Sequence, residues 1–243
     1  GQLAACPARR AVTFGTRAGA DYRLAGRLTS GVEATNVRIV RRRDGSELSF
    51  RLPTIGEAAA LDVAAALAAV ESISGPFDSD AITAALRLVG PMPGRMHARR
   101  LKNGTMLLDD TYNANPHSVR AALRTLGELT ASDRGRRAVV ILGEMRELGS
   151  IAEEEHAALG GAIVGSGARI VVSCGGLADL AVMAAARGGV AAVRATDADH
   201  AAELVPALVS PGDVVLVKAS RSVGAERVVE TLVCAGGGEA EPK

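Results

Sequence analysis

Residues 105–116 read Thr105-Met106-Leu107-Leu108-Asp109-Asp110-Thr111-Tyr112-Asn113-Ala114-Asn115-Pro116. A short strand over 105–109 runs into a polar turn, and a helix is predicted from 116 to 130. The alternation then continues. Strands over 138–142, 169–173, 191–194 and 214–218 are separated by helices over 152–165, 177–186, 199–209 and 223–234. Apolar strands alternating with amphipathic helices predict a parallel sheet covered on both faces. Residues 94–243 therefore read as a doubly wound α/β domain.

Upstream of that domain, Pro91-Met92-Pro93-Gly94 breaks the pattern and marks the boundary. Residues 1–53 alternate short β-like runs with turns: Ala11–Gly15, Val37–Val40 and Leu48–Leu52, the last two flanking the hairpin signal Asp44-Gly45. Glu57–Ile73 lacks internal Gly and Pro and reads as a helix. A second helix runs from Ser79, read as its N-cap, to Leu88. Gly236–Glu241 reads as a loose tail.

Composition narrows the function. Of 243 residues 48% are hydrophobic, but there are only two Tyr, three Phe and no Trp, so the core is built from Ala, Val, Leu and Ile. Such a chain lacks the aromatic platform on which single-stranded nucleic acids stack. A net charge of +1 gives no electrostatic case for a polyanion or membrane surface. The runs Arg41–Arg43 and Arg99-Arg100 sit beside turn signals and read as solvated hairpin rims. Cys6, Cys174 and Cys234 match neither zinc spacing nor a disulfide framework, which fits a reducing, cytosolic setting. Cys174, inside an apolar strand, reads as a small core residue. No apolar run approaches the roughly 20 residues of a membrane helix, and no signal peptide is visible. The chain opens on Gly1 rather than Met, and its natural start is expected upstream.

In a doubly wound sheet, ligands gather at the carboxyl ends of the strands. Three polar turns are predicted there: Asp110–Pro116, Gly143–Gly149 and Ala219–Ser222. Asp109 and Asp110, with Asn113 and Asn115, suit ribose hydroxyls or a metal, and equally suit a helix-dipole partner with ordinary surface charge. Lys218, Ser220 and Arg221 suit an anion at a strand-to-helix turn; neutralisation of nearby acids explains them as well. The glycine-bounded loop holding Glu144, Arg146 and Glu147 is a weak signal. His156, in Glu153-Glu154-Glu155-His156, reads as part of a solvated charged face. No His-Cys-Asp set has metal-ligand spacing. Nucleophile elbow, phosphate loop and dinucleotide fingerprint are all absent from the sequence.

Taken in order, Gly94-Arg95-Met96, the string from Leu108 to Pro116, the loop from Leu142 to Gly149, His156, and Val217-Lys218-Ala219-Ser220-Arg221 resemble the Mur ligase family. The resemblance is strong over 94–235 and fainter over 10–90. Asp-Asp-x-Tyr-Asn-Ala-Asn-Pro is similar to the branch that adds D-alanyl-D-alanine, rather than L-alanine, D-glutamate or a diamino acid. The resemblance implies a partial α/β central ATPase domain over 1–93, without its phosphate loop, and a Rossmann-like ligase domain over 94–243. It also implies a cytoplasmic, monomeric, ATP-dependent enzyme of peptidoglycan precursor synthesis. Its substrates would be a UDP-muropeptide and D-Ala-D-Ala. Its cofactors would be ATP and Mg2+, with the metal ligands upstream of Gly1. By the same resemblance Lys218 and Arg221 are catalytic, and Arg95, Asp110, Tyr112, Asn113 and Asn115 bind ATP. Glu144, Met145, Leu148, His156 and Ser220 contact the dipeptide. Two departures stand out. Where the family has Gly-x-His-Asn-x-x-Asn to cradle adenine, this chain has Gly56-Glu57-Ala58-Ala59-Ala60-Leu61-Asp62, and alanine makes no side-chain hydrogen bond. In the family string Lys-Gly-Ser-Arg, Ala219 replaces glycine. These changes keep open a second reading, a non-catalytic binding module that retained the fold.

Overall fold

The computed structural model describes residues 11–30, 34–75, 77–133 and 135–240. Its contacts divide into two compact units, 1–90 and 91–243.

The first unit holds strands β1 (Phe14–Gly15), β2 (Tyr22–Ser30), β3 (Ala34–Arg41) and β4 (Glu47–Leu52), then helices α1 (Glu57–Ser74) and α2 (Ser79–Arg87). β2, β3 and β4 form an antiparallel meander, and β1 pairs with β2 in parallel. Alternation along β4 buries Leu48, Phe50 and Leu52. With Val37 and Ile39 they pack against Ala60, Val63, Ala64 and Leu67 of α1. β2 was not singled out from sequence, and a register shift between Leu24 and Gly26 explains why. A bulge there reverses the in-out alternation, so Leu24 is buried while Leu28 is 70% exposed. Two local expectations are corrected. Asp78, not Ser79, caps α2, accepting the Asp80 N–H. Arg41 is not solvated: it pairs with Asp44 at 2.8 Å and with Glu71 of α1 at 3.4 Å.

The second unit runs β5 (His97–Arg100), β6 (Met106–Asp110), α3 (Pro116–Ser132), β7 (Ala138–Leu142), α4 (Ala152–Gly165), β8 (Ala168–Cys174), α5 (Ala178–Arg187), β9 (Ala191–Ala195), α6 (Ala198–Leu208), β10 (Val214–Lys218) and α7 (Glu226–Ala235). Its six-stranded sheet has the order β5-β6-β10-β7-β8-β9. Five strands are parallel. β5, unread from sequence, is an antiparallel edge. The helix expected from 223 starts at Glu226, because Gly224 turns left-handed (φ 76°) after a short 3-10 turn. Leu107, Val139, Ile141, Val172, Val215 and Val217 face α6 and α7. Alternate residues face α3 and α4. Burial on both faces is why Ala138–Leu142 and Val214–Leu216 are apolar without interruption. With so few aromatics, close approach replaces bulk: a Cβ at Gly160 would lie 2.3 Å from the Ala184 Cβ of α5.

Residues 236–240 are pinned rather than loose. Gly238 and Gly236 carbonyls accept the Lys102 and Asn103 N–H groups, Glu239 bridges to Leu101, and Arg99 pairs with Glu239. The tail covers part of the otherwise open β5 edge.

The first unit carries a pH-sensitive tie. Asp21 pairs with Arg42 at 2.6 Å and accepts from the Thr13 N–H and hydroxyl at 2.9 and 2.7 Å. The Arg42 hydrogen bond, then those from Thr13, lower its pKa from 3.8 to about 2. A lowered native pKa contributes stability above the unfolded value and loses it as pH falls through the native one. Asp21→Asn is therefore expected to destabilise the chain at neutral pH, the difference from wild type shrinking between pH 3.8 and about 2. Urea unfolding at several pH values checks this; a difference independent of pH would refute it.

Candidate functional site

The three polar turns follow β6, β7 and β10, which are neighbours at the centre of the sheet. They are therefore brought to one edge. Parallel pairing places Lys218 beside Asp110, each the last residue of its strand. The Lys218 Nζ lies 2.6 Å from Asp110 Oδ2 and donates to the Asn113 carbonyl at 2.9 Å. Lys218 is only 1% exposed and is among the largest fully buried side chains described. A lysine this deep is tolerated because its charge is paired and two of its donors are engaged.

The two aspartates hold the segment before β5. Asp109 Oδ2 accepts the Gly94 N–H, and Asp110 Oδ1 accepts the Met96 N–H at 3.1 Å. The Tyr112 N–H closes the turn onto the Gly94 carbonyl at 2.9 Å. Glycine is needed at 94: φ is +71°, and a Cβ would sit 3.1 Å from the Tyr112 backbone. Arg95 is thereby set over the Tyr112 ring, 4.2 Å from its centroid, and Arg221 approaches the same ring at 5.2 Å. Tyr112 is 41% exposed. Among the described residues neither arginine has a carboxylate partner, so two cations and one ring face solvent together.

Asn113 and Asn115 support this edge internally. The Asn113 side chain accepts the Ala114 N–H. Asn115 caps α3 in a reciprocal box with Ser118. Ser220 joins the three turns: its N–H donates to the Glu144 carbonyl at 3.1 Å, its Oγ accepts the Arg146 N–H at 2.9 Å and lies 3.4 Å from the Ala114 carbonyl.

His156 corrects the sequence reading. It is fully buried, not part of a solvated face. Its Nε2 accepts the Met145 N–H at 2.8 Å, and its Nδ1 lies 2.6 Å from the Ala152 carbonyl, one turn back along α4. Together these contacts are satisfied by the ring protonated on Nδ1. Met145 is 1% exposed and Leu148 is half-buried, so they shape the loop from within. Glu144 pairs with Arg146 at 3.0 Å.

Thr111, whose hydroxyl donates to Asp109 Oδ1 at 2.7 Å, was missed from sequence, as was the role of Gly143. A Cβ at Gly143 would meet the Ala219 Cβ at 2.5 Å. Ala219, the departure from the family string, thus occupies space that Gly143 leaves. Cys174 is buried, and burial pushes its thiol up to about 12, which removes it as a nucleophile.

For the ATP that the resemblance implies, fit is divided. Arg95, Tyr112 and Arg221 suit a phosphate-bearing ligand. Asp110 has spent an acceptor site on each oxygen internally but keeps 16% of its side chain exposed. In the first unit, α1 starts without a side-chain cap and presents Ala58 and Ala59, whose side chains make no hydrogen bonds. Among the described residues no three His, Cys, Asp or Glu side chains gather to hold a metal ion.

Such a sheet, with one polar rim at its carboxyl edge, defines an α/β domain of the doubly wound type. A family model described as "Mur ligase, glutamate ligase domain" matches residues 94–221, and the chain belongs to that family. It is 36% identical over 167 residues to a UDP-N-acetylmuramoyl-tripeptide–D-alanyl-D-alanine ligase of Mycobacterium leprae, a match covering 63% of this chain and 32% of the relative. It is 33% identical over 212 residues to the ligase of that name from Escherichia coli, covering 84% and 44%. The chain thus spans less than half the length of these curated relatives. A solved MurF ligase from Thermotoga maritima in complex with ADP has the same fold, with a TM-score of 0.75 at 24% identity, over 93% of this chain and 49% of that one.

The Lys218–Asp110 pair is expected to stabilise the rim. Lys218→Met leaves Asp110 with an unpaired, mostly buried charge, and a loss of about 3 kcal/mol is expected in chemical denaturation. Gly143→Ala, which forces a methyl against Ala219, is expected to cost about 1–3 kcal/mol. Wild-type stability in either variant would refute the corresponding assignment.

Proposed function

We propose that this chain supplies the carboxy-terminal ligase domain, over 94–243, and part of the central ATPase domain, over 1–93, of a cytoplasmic, ATP-dependent enzyme. That enzyme joins D-alanyl-D-alanine to UDP-N-acetylmuramoyl-tripeptide in peptidoglycan precursor synthesis. The observation that carries this reading is the rim itself. Asp109–Pro116, Gly143–Gly149 and Lys218–Arg221 lie on adjacent strands at one sheet edge, with Arg95 and Arg221 over Tyr112. The names of the relatives, and membership of the Mur ligase family, support it. Among the described residues no helix is long and apolar enough to cross a membrane.

Each rim residue then has a role. Arg95 and Arg221 meet negative charge on a phosphate, presented as exposed guanidinium groups that need no carboxylate to be broken away first. Tyr112 holds both in place. Bound there, ATP would supply the phosphoryl group that activates the acceptor carboxylate. Lys218 acts as a positioning residue, because its ammonium is turned inward to Asp110 and Asn113. Asp110 offers its exposed remainder to a ribose hydroxyl, while Asn113 and Asn115 keep the turn in shape. Glu144 and Leu148 border the place for the dipeptide, and Met145, His156 and Ser220 hold that border from beneath. The Mg2+ ligands belong to protein outside the described residues.

A second reading, a binding module without catalysis, is favoured by one observation: Ala58 and Ala59 stand where an adenine cradle needs hydrogen-bonding side chains. Calorimetry and turnover distinguish the two. The purified chain is expected to release heat with D-Ala-D-Ala, to hydrolyse no ATP, and to form no UDP-linked pentapeptide unaided. Product formed by this chain alone would overturn the division of labour. A chain that binds no dipeptide would overturn this reading in favour of the second.

A further inference from the structure

The loop after β7 combines a rigid backbone with an exposed charge pair. Three successive positions are tied: the Glu144 carbonyl to the Ser220 N–H, the Met145 N–H to His156, and the Arg146 N–H to the Ser220 hydroxyl. The next residue, Glu147, has φ +66°. It and Met96 (φ +50°) are the two non-glycine residues with positive φ among those described, and both lie on this rim. Backbone held in that region by a non-glycine residue costs on the order of 1–3 kcal/mol and persists only where its surroundings impose it.

On this fixed base the side chains are arranged differently. The Arg146 side chain is 56% exposed, whereas that of Glu144 is 16% exposed. Bare backbone backs the Glu144 carboxylate: a Cβ at Gly176 would lie 2.8 Å from Glu144 Oε2. Among the described residues Glu144 is the carboxylate that pairs with Arg146, at 3.0 Å. Solvent on the Arg146 side weakens this pair, so a ligand carboxylate competes with Glu144 for the guanidinium. A free dipeptide carries one positive and one negative end, about 7 Å apart when extended. Its two charges are opposite in sign to those of the loop, and the Arg146 and Glu144 heads, 3.0 Å apart in their pair, separate to meet them.

We propose that Arg146 and Glu144 form a zwitterion receptor. Arg146 takes the terminal carboxylate of the incoming dipeptide through its two-pronged guanidinium, and Glu144 accepts from the dipeptide's amine. One internal ion pair is exchanged for two with the ligand. The assignment adds Arg146 as a residue that selects a free carboxyl terminus, and it rests on the ligase reading above.

The test is calorimetric titration of the whole chain with D-Ala-D-Ala, with its carboxyl-terminal amide and with its N-acetyl derivative. Wild type, Arg146→Gln and Glu144→Gln are compared, with circular dichroism to confirm that each is folded. Wild type is expected to prefer the free dipeptide over the amide by roughly tenfold, a ratio within reach of one charge-assisted hydrogen bond. Arg146→Gln is expected to bind acid and amide alike. Glu144→Gln is expected to lose the preference over the N-acetyl form. A folded Arg146→Gln that keeps the acid-over-amide ratio overturns this inference and leaves the ligase reading standing. A wild-type chain that binds none of the three overturns both.

Discussion

The ion pair between Lys218 and Asp110 lies at the junction on which the rim depends. Taking an ammonium and a carboxylate out of water is costly, and close geometry with further hydrogen bonds is required to offset it. Both conditions are met. The parallel register of β10 and β6 puts the two side chains next to each other, the Asn113 carbonyl takes a second Lys218 proton, and Met96 donates to the other Asp110 oxygen. The pair thereby ties two strands, the turn after β6 and the segment before β5 into one piece. Arg95 reaches Tyr112 because that piece is closed.

Small side chains give the rest of the unit its precision. With almost no aromatic residues, the helices and turns approach until backbones nearly touch, as at Gly160 against Ala184. Gly143 and Ala219 show the same economy at the functional edge. Ala219 does not crowd the turn, because its methyl group sits where residue 143 has none. Ala58 and Ala59, at the start of α1, offer no side-chain hydrogen bonds.

The rim is stiff where its backbone is concerned and open where its charges are. Ser220, His156 and the two aspartates fix main-chain groups, while Arg95, Arg146 and Arg221 stand exposed. Buried polar groups made to serve the backbone leave the exposed ones free for ligands. Met96 and Glu147 take positive φ on this rim, where the Met96 N–H is tied to Asp110 and Glu147 follows the tied N–H of Arg146.

The alternation of strands and helices, the position of the three polar turns and the family resemblance were legible in the sequence alone. Period and turn chemistry are local properties, and local patterns report them. What only the tertiary structure decided is non-local. A bulge at Leu24–Gly26 hid β2 by reversing its pattern. Glu71, thirty residues away, drew Arg41 from the surface, and β5 with the 101–103 turn captured the tail. His156 looked solvated among three glutamates, because helical spacing cannot tell which face a loop will cover. Lys218 suited an anion or a nearby acid equally well until the register of β10 against β6 placed Asp110 beside it. Burial and pairing depend on which distant segments meet, and that is set by packing the whole sheet.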